Sequence, residues 1–305
     1  MRLALQAIAE ELRRLKNIGV KTVAVSDASL AALRRAVAAG GGRQEAGDGK
    51  QTATPAAPVK PTAAPLPPAI KIPSSPPPAS QLPPPPMVAL PEGDKQTRWN
   101  ALHALVQADA VCRANVRPGK KVVLGVGDLE AKIMFVGEAP GAEEEIQGEP
   151  FVGPAGQLLT KMIQGMGLKR TEVYIGNIMN WRPQMPTAPG REQVGNRPPT
   201  EGELHYCLPY LRAQIEVVNP AVLVALGSTA TQGLLGWGSF KALGDVRGRW
   251  HEFGGKPLMV TYHPSYILRE PTNRKKRMIW EDLLKVMERA ALPISERQRG
   301  FFLEK

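Results

Sequence analysis

The segment KIMFVGEAPGAEEEIQGEPFVGPAG, residues 132–156, decides the fold of this chain. Its apolar start, residues 133–136, is short and ends at a glycine, which predicts a buried β-strand. The strand leads into a loop rich in glycine and proline, a backbone that another molecule can approach closely. The loop carries five glutamates and no lysine or arginine, whereas a phosphate-binding loop relies on bare amides and a cation. Taken alone, it fits either a solvated acidic turn or a site for chemistry on something other than a phosphate.

Outward from this segment, short apolar strands alternate with helices. Apolar residues on both faces of most strands predict an α/β fold, with a parallel sheet between layers of helices. In such sheets the site lies at the carboxyl ends of the strands. Glu138, Asn177 and His263 each end or follow a strand, so we expect these three side chains to converge. The predicted strands are residues 121–125, 133–136, 173–179, 221–226 and 259–262, and the predicted helices are residues 99–111, 154–165, 201–218, 228–235 and 278–291.

The composition indicates a polyanionic partner. The formal net charge is +11 and the pI is near 9.8, which favours nucleic acid, although ribosomal and membrane-surface proteins share this property. No apolar run reaches the roughly 18 residues of a membrane span, and no signal peptide is visible. Two cysteines, Cys112 and Cys207, fit a reducing cytosol and provide no disulfide framework. We therefore expect a cytoplasmic, nucleoid-associated protein of bacterial type, monomeric and without membrane contact.

The chain divides into four parts. Residues 1–42 are predicted to form a small N-terminal α/β arm, and their leucine spacing predicts that it is largely helical. An arm of this size cannot bury much surface alone, so it is either a docking element for a protein partner or partly folded. Residues 43–91 are predicted to be a disordered linker, because they are rich in proline and alanine, with half of the 30 prolines between Pro55 and Pro91. The compact domain spans residues 92–292, and residues 293–305 form a C-terminal tail.

Five sequence blocks carry a resemblance to a known family. Within residues 100–292 they read, in order, GEAPGAEEEIQGEPFVGPAGQLL, VYIGNIMNWRP, NRPPTEGELHYCLPYL, VALGSTA and VTYHPSYILR. They resemble the family 4 uracil-DNA glycosylases, the iron–sulfur branch of the uracil-DNA glycosylase superfamily. The resemblance implies a three-layer αβα sandwich around a central, mostly parallel four-stranded sheet. It also implies base excision repair of DNA, in which uracil is flipped out of the stack and its N-glycosidic bond is hydrolysed to leave an abasic site.

The resemblance assigns four residues to the uracil pocket. Phe151 would stack on the face of the base. Asn177 would offer the donor and the acceptor that read uracil O4 and N3–H and refuse cytosine. Ala139 would line the pocket, and Glu144 would crowd the C5 side of the base and disfavour thymine. The alternatives are an ordinary core aromatic for Phe151 and an asparagine that caps its own turn for Asn177.

Two residues are expected to carry the chemistry implied by the resemblance. His263 would donate a hydrogen bond to uracil O2 as negative charge grows on the leaving base. Glu138 would position or deprotonate the attacking water and stabilise the cationic sugar. Without the resemblance, His263 would be interpreted as structural.

The segment after His263 is expected to contact DNA. Ser265 would bond a phosphate, and Ile267 with Leu268 would wedge into the base stack. Arg269 and residues 274–277 would add positive charge for the backbone, unless they are only the solvated start of a helix.

The chain departs from the family at the cluster cysteines. The family typically holds a [4Fe–4S] cluster with four cysteines, of which Cys112 and Cys207 remain as remnants. Asn115 and Trp181 stand where the other two are expected. Two thiolates cannot complete a four-ligand cluster, so we expect no cofactor, with Trp181 filling the vacated volume.

Several functions stay open on the sequence alone. A monofunctional glycosylase is favoured because the expected pocket residues are all present. A DNA-binding paralogue that lost useful catalysis with its cluster is the alternative. A metal-dependent hydrolase is disfavoured because His263 is the one histidine expected to converge on the acidic loop. Covalent capture of DNA by a histidine within residues 182–203 is not expected, because that stretch contains none.

Overall fold

Six strands form one mixed sheet at the centre of the domain. The computed structural model describes residues 82–188 and 190–303. Strands β2, β3, β4 and β6 run parallel, and β1 and β5 are added antiparallel at the two edges, in the order β1-β3-β2-β4-β6-β5. The predicted four-stranded sheet is therefore the parallel centre of a six-stranded one. The strands are β1 (Val126–Gly127), β2 (Ile133–Gly137), β3 (Tyr174–Asn177), β4 (Val222–Leu226), β5 (Trp250–Phe253) and β6 (Lys256–Thr261).

Several of the helices begin at a residue whose side chain caps them. Asp94 Oδ1 accepts from Thr97 N at 2.7 Å, and Glu203 Oε2 accepts from Thr200 N at 2.7 Å in a reciprocal capping pair. None of the helices in the described residues is long and apolar enough to cross a lipid bilayer. The helices are α1 (Lys95–Ala108), α2 (Ala110–Ala114), α3 (Ala142–Gln147), α4 (Pro154–Gly165), α5 (Glu201–Val218), α6 (Ser228–Leu235), α7 (Leu243–Val246), α8 (Ser265–Arg269), α9 (Asn273–Arg289) and α10 (Glu296–Arg299).

The sheet separates two apolar cores, which gives the predicted three layers. Successive residues of a strand point to opposite faces. In β2, Met134 and Val136 pack with α1 and α5, whereas Ile133 and Phe135 pack with α4 and α9. The same alternation holds in β4 and β6. Helices therefore cover both faces of the parallel strands. The carboxyl ends of these strands, in contrast, border a cavity.

Residues 121–125 are not a strand, contrary to the prediction. Their backbone is bonded to a loop and a side chain: Val123 N donates to Asn180 O at 2.8 Å, and Gly125 N donates to Gln214 Oε1 at 3.0 Å. Most of the run is buried. Its apolar composition reflects burial alone, which a short apolar run does not distinguish from a strand.

Both predicted domain boundaries lie too far inward. Val88 and Leu90, within the predicted disordered linker, pack against the core. At the other end, α10 lies in the predicted C-terminal tail, and Trp280 Nε1 donates to Gln298 O at 2.6 Å. The domain therefore includes residues on both sides of 92–292. The predicted arm, residues 1–42, and the linker up to residue 81 lie outside the described residues.

Candidate active site

The carboxyl ends of the parallel strands open into one cavity. β2 and β3 stay paired beyond their ends, where Ile178 N donates to Gly137 O at 3.0 Å and Met179 N donates to Glu138 O at 3.1 Å. These bonds fix the backbone of Glu138 beside that of Asn177. The cavity has a volume of about 590 Å³. Its lining includes the predicted site residues Glu138, Ala139, Glu144, Phe151, Asn177, His263, Ser265 and Arg269.

Asn177 and Phe151 form the back of the cavity, each only 6% exposed. Gly137 brings them together, because a β-carbon there would lie 2.4 Å from both Asn177 Oδ1 and a ring carbon of Phe151. Among the described residues, no partner meets the buried Asn177 Oδ1. A buried oxygen left unpaired costs about 1–3 kcal/mol. This oxygen is therefore free to accept a hydrogen bond from a ligand in the cavity.

The backbone of Phe151 is in an unusual conformation. Its φ of 55° lies in the left-handed region, which aromatic residues rarely adopt. Such strain persists only where the surrounding structure imposes it, and it concentrates at functional sites. The Phe151 ring centroid lies 5.5 Å from that of His263 at an interplanar angle of 30°. The ring is thus buried and still borders the cavity, unlike an ordinary core aromatic.

The contacts of His263 determine which ring nitrogen carries its proton. Ser265 N lies 3.2 Å from His263 Nδ1, and Ser265 Oγ lies 2.9 Å from the same atom. A backbone N–H can only donate, so Nδ1 is the acceptor and the proton of the neutral ring is on Nε2. The imidazole therefore offers an N–H donor on the side away from Ser265.

The surroundings of His263 keep it uncharged. Burial lowers the pKa of His263 to about 4, with the positive charge of Arg269 acting in the same direction and Glu144 opposing it. Gly227, with φ of 90°, permits this close packing, because a β-carbon there would lie 2.9 Å from His263 Cβ. The ring is consequently neutral at pH 7 and acts as a hydrogen-bond donor without a formal charge.

Glu138 is a partly buried carboxyl group on the cavity wall. Desolvation raises the pKa of Glu138 above its ordinary value, and a hydrogen bond with the Thr229 side chain opposes this shift. Thr229 lies in the first turn of α6. A carboxylate with a raised pKa is a better proton acceptor than an ordinary one, so Glu138 is suited to act on water.

Glu144 braces the loop between β2 and α4. Its Oε2 accepts from Gly141 N at 3.0 Å, and its Oε1 accepts from Val152 N at 3.0 Å and from Gly153 N at 2.9 Å. The carboxylate thus joins the two ends of the loop that carries Phe151. Its predicted contact with the C5 side of uracil stays a prediction.

The segment after His263 differs in part from its predicted role. Ile267 is 5% exposed and packs in the core beneath the sheet, so the prediction that it wedges into DNA is wrong. Leu268, in contrast, is 46% exposed. The Ser265 hydroxyl contacts His263, and Arg269 lines the cavity. Leu268 and Arg269 are therefore exposed or cavity-lining members of this segment, and Ser265 also lines the cavity.

The basic start of α9 is partly structural. Lys275 pairs with Glu270, and its Nζ lies 4.7 Å from the centroid of the Tyr266 ring. Arg277 donates from Nη1 to Arg299 O at 2.7 Å and to a second carbonyl of the C-terminal segment. Arg277 thus holds the C-terminal segment in place. The prediction that its guanidinium contacts DNA is therefore not supported, because the group is already bonded to these carbonyls.

The sequence of residues 124–284 matches the family model of the uracil DNA glycosylase superfamily. The chain belongs to this superfamily. A Type-4 uracil-DNA glycosylase of Thermotoga maritima is 43% identical over 165 residues, which are 54% of this chain and 80% of that relative. The Type-4 enzyme of Saccharolobus solfataricus is 42% identical over 176 residues, 55% of this chain and 76% of the relative. A Type-5 uracil-DNA glycosylase of Pyrobaculum aerophilum is 31% identical over 186 residues, 54% and 73% of the two chains. The predicted family and fold class are confirmed.

The cysteine positions of this uracil-DNA glycosylase superfamily member do not fit an iron–sulfur cluster. Cys112 and Cys207 are the two cysteines of the chain and both are buried, whereas a cluster of this kind takes four ligands. Asn115 Nδ2 donates to a backbone carbonyl of its own turn at 2.9 Å. Trp181 is fully buried, with its ring centroid 6.1 Å from that of Tyr206. In the part of the chain that is described, no group of three His, Cys, Asp or Glu residues could hold a metal ion.

Several residues that line the cavity were not predicted as site residues, among them Thr229 and Asn196. Thr229 follows the end of β4, and the polar residues of the VALGSTA block are a signal that could have identified it. Asn196 comes from the irregular stretch of residues 183–200, yet it also lines the cavity. No periodic pattern surrounds Asn196, so the sequence alone offers no signal for it.

Proposed function

We propose that this protein is a uracil-DNA glycosylase that removes flipped-out uracil from DNA. The observation that carries the proposal is the buried, unpartnered Asn177 Oδ1 beside the Phe151 ring and the donor nitrogen of His263. Uracil has the matching groups: a flat ring for Phe151, N3–H for the oxygen and O2 for the imidazole. The Type-4 relatives, named as uracil-DNA glycosylases, support the same activity.

Base selection follows from the amide of Asn177. Its Oδ1 accepts from uracil N3–H, and its Nδ2 donates to uracil O4. Cytosine has an acceptor at N3 and an amine at C4, so both contacts would oppose like groups and leave the buried oxygen unpaired. A site built on such hydrogen bonds rejects an analogue that lacks them by a large factor. The Asn177 amide would thus favour uracil over cytosine both when the base binds and during the reaction.

Hydrolysis divides the work between His263 and Glu138. The N1–C1′ bond breaks, and its electron pair passes to the base, where charge accumulates on O2. His263 Nε2–H donates to that oxygen and stabilises the uracil anion. The oxygen of water bonds C1′, and Glu138 accepts a proton from that water while its negative charge stabilises the oxocarbenium-like sugar. Uracil takes up a proton from solvent, and the DNA keeps a hydroxyl at C1′, an abasic site.

The rate of excision is expected to show a single acid limb set by Glu138. The active form holds ionised Glu138 and neutral His263. The pKa of Glu138 is raised above its ordinary value and that of His263 is lowered to about 4, so on acidification Glu138 takes up a proton first. We expect kcat/KM to fall as pH drops through the raised pKa and to stay flat at neutral pH. Measured from about pH 4 to about pH 9, an acid limb that persists in Glu138→Gln would assign it to another group.

DNA is expected to be held by residues beside the cavity mouth. Leu268 is the exposed apolar side chain nearest to His263 in the chain, and we propose that it fills the space left in the stack by the flipped nucleotide. Arg269 would contact a neighbouring phosphate. Every proposed pocket residue comes from one chain, so we propose that a monomer suffices.

The enzyme is proposed to work without a cofactor, with aromatic packing in place of a cluster. Trp181 and Tyr206 pack in the same core cluster as the two remaining cysteines, and Asp109 joins Tyr206 and Tyr210 through hydrogen bonds of 2.8 Å each. None of the proposed steps requires a metal or redox group. We therefore propose that packing and hydrogen bonds among these side chains stabilise the part of the fold where a cluster would otherwise lie.

An excision assay on chelator-treated protein tests the proposed function. We expect colourless protein, with no iron–sulfur absorbance, to release uracil from single-stranded or double-stranded oligonucleotides and leave an alkali-sensitive abasic site. Iron content and the visible spectrum are measured on the same sample. A folded, colourless protein that binds DNA without excision would favour a DNA-binding paralogue. A brown protein that loses activity with its colour would contradict the cofactor-free proposal and leave the glycosylase activity standing.

A further inference from the structure

Residues 183–200, between β3 and α5, form an irregular loop that arginines hold in place; it is called the braced loop here. Arg117 Nη2 donates to Met185 O at 3.2 Å, to Thr187 Oγ1 at 2.9 Å and to Gln193 Oε1 at 2.6 Å. Residue 189 lies outside the described residues. A loop fixed at several points can hold a side chain in a defined position at a site.

Arg182 connects the braced loop to the wall of the cavity. Its Nη1 donates to Glu145 Oε1 at 2.9 Å, and these two side chains are 4% and 5% exposed. Its Nη2 donates to Gly195 O at 2.8 Å, and its Nε donates to Asn196 Oδ1 at 2.7 Å. Glu145 belongs to α3, whose neighbouring Glu144 braces the Phe151 loop. The guanidinium thus fixes Asn196 relative to the active-site loop.

The bond to Arg182 determines which way the Asn196 amide faces. Its oxygen accepts from Arg182, so its Nδ2, with two N–H groups, faces the other way. Nδ2 is the Asn196 atom that approaches Gly141, at 3.9 Å from where a β-carbon would stand, and both residues line the cavity. The amide therefore presents donors, and no charge, to the cavity.

Asn196 stands at the mouth of the cavity, and Asn177 and Phe151 stand at its back. Asn196 is exposed to solvent, whereas the other two are 6% exposed. A flipped nucleotide enters with its base first, so its sugar and phosphates remain at the mouth. We propose that Asn196 Nδ2 donates to the sugar–phosphate backbone of the flipped nucleotide. The inference rests on the proposed glycosylase function.

A neutral donor suits this place because its surroundings are acidic. Glu143 and Glu144 line the same cavity and would repel phosphate, and Arg269 is the cation that lines it. Amide side chains are regular donors to phosphate oxygens. A rigidly held amide attracts the backbone without neutralising Glu138, the carboxylate on which the proposed reaction depends.

Three variants test the contact with probes that separate base from backbone. Asn196→Ala removes the donors, and Asn196→Asp removes them while keeping an oxygen for Arg182. Val194→Ser, at a position 90% exposed on the same loop, is the matched control. The probes are an oligonucleotide with a tetrahydrofuran abasic-site analogue, which keeps the backbone, and free uracil, which lacks it. Uracil excision by the wild type, measured alongside, decides the proposed function separately.

We expect both Asn196 variants to raise the Kd for the abasic oligonucleotide by about 10- to 100-fold, the usual contribution of a hydrogen bond to a charged group. Inhibition by free uracil should stay at the wild-type level, KM should rise more than kcat falls, and Val194→Ser should match the wild type. Weak binding by Asn196→Asp with normal binding by Asn196→Ala would reflect charge repulsion alone and overturn the contact. If the Asn196 variants also lost inhibition by free uracil, the contact would be with the base and the proposal would be overturned. If Asn196→Asp lowers Tm, the variant is destabilised, and the Kd of Asn196→Ala for the abasic oligonucleotide then decides whether the contact exists.

Discussion

His263→Ala is expected to lower kcat for uracil excision by about 10² to 10³-fold, or about 2.7–4 kcal/mol of barrier, the usual effect of removing one oxyanion donor. The neutral ring donates from Nε2 because Ser265 N occupies Nδ1 at 3.2 Å. Its bond to uracil O2 strengthens as the base takes up charge, so the loss falls on kcat and leaves the Kd for abasic DNA nearly unchanged. Single-turnover excision at pH 7, with Kd measured in parallel, separates the two.

His205→Ala is the matched control for this experiment. His205 is an exposed histidine on α5 and does not line the cavity. It should leave kcat, Kd and Tm at wild-type values. A His263→Ala protein that keeps its rate would show that the imidazole is structural. Equal losses in DNA binding and in rate would assign His263 to substrate binding in place of leaving-group stabilisation.

Glu138→Gln is expected to lower kcat by about 10² to 10⁴-fold, the range for loss of a general base. Glutamine keeps the shape of the side chain and can still bond Thr229, but it can neither accept a proton nor carry negative charge. The pKa of Glu138 is raised by desolvation, so this neutral variant should fold at least as stably as the wild type. Tm and excision rate measured together test both statements.

Glu149→Gln provides the comparison within the same acidic loop. Glu149 is exposed and does not line the cavity that contains Glu138, so its loss should leave the rate unchanged. Similar losses in the two variants would mean that the acidic loop acts through its total charge. A strong loss confined to Glu138→Gln would support its role as the group that acts on water.

The central strands and their polar ends were predictable because burial on both faces leaves a strong apolar signal. Glu138, Asn177 and His263 follow such strands, and the cavity lies where their carboxyl ends open. β1 and β5 lacked this signal, since edge strands are short and half-exposed. Ile267 was misassigned because an apolar residue in a short helix is equally suited to the core and to a surface contact.

The loop contacts could not be predicted, because they depend on tertiary placement. Nothing local distinguishes Asn196 from the other polar residues of its loop, and its orientation comes from Arg182, 14 residues earlier in the chain. Glu144 reads as one of three consecutive acidic residues, and only the fold shows that its oxygens accept from Gly141, Val152 and Gly153. Periodicity reports burial, whereas these contacts depend on where loops return to the sheet.

The buried pair of Arg182 and Glu145 constrains how this chain can diverge. Removing one partner of such a pair costs about 3–5 kcal/mol, whereas exchanging both for apolar residues is often neutral. Single changes at either position are therefore expected to destabilise the fold, and an apolar pair is expected to arise only through a compensated double substitution. Because loss of Arg182 would also remove its hydrogen bond to Asn196, a protein with the apolar pair would need another contact to hold the braced loop. Positions 145, 182 and 196 should accordingly be inherited as a unit.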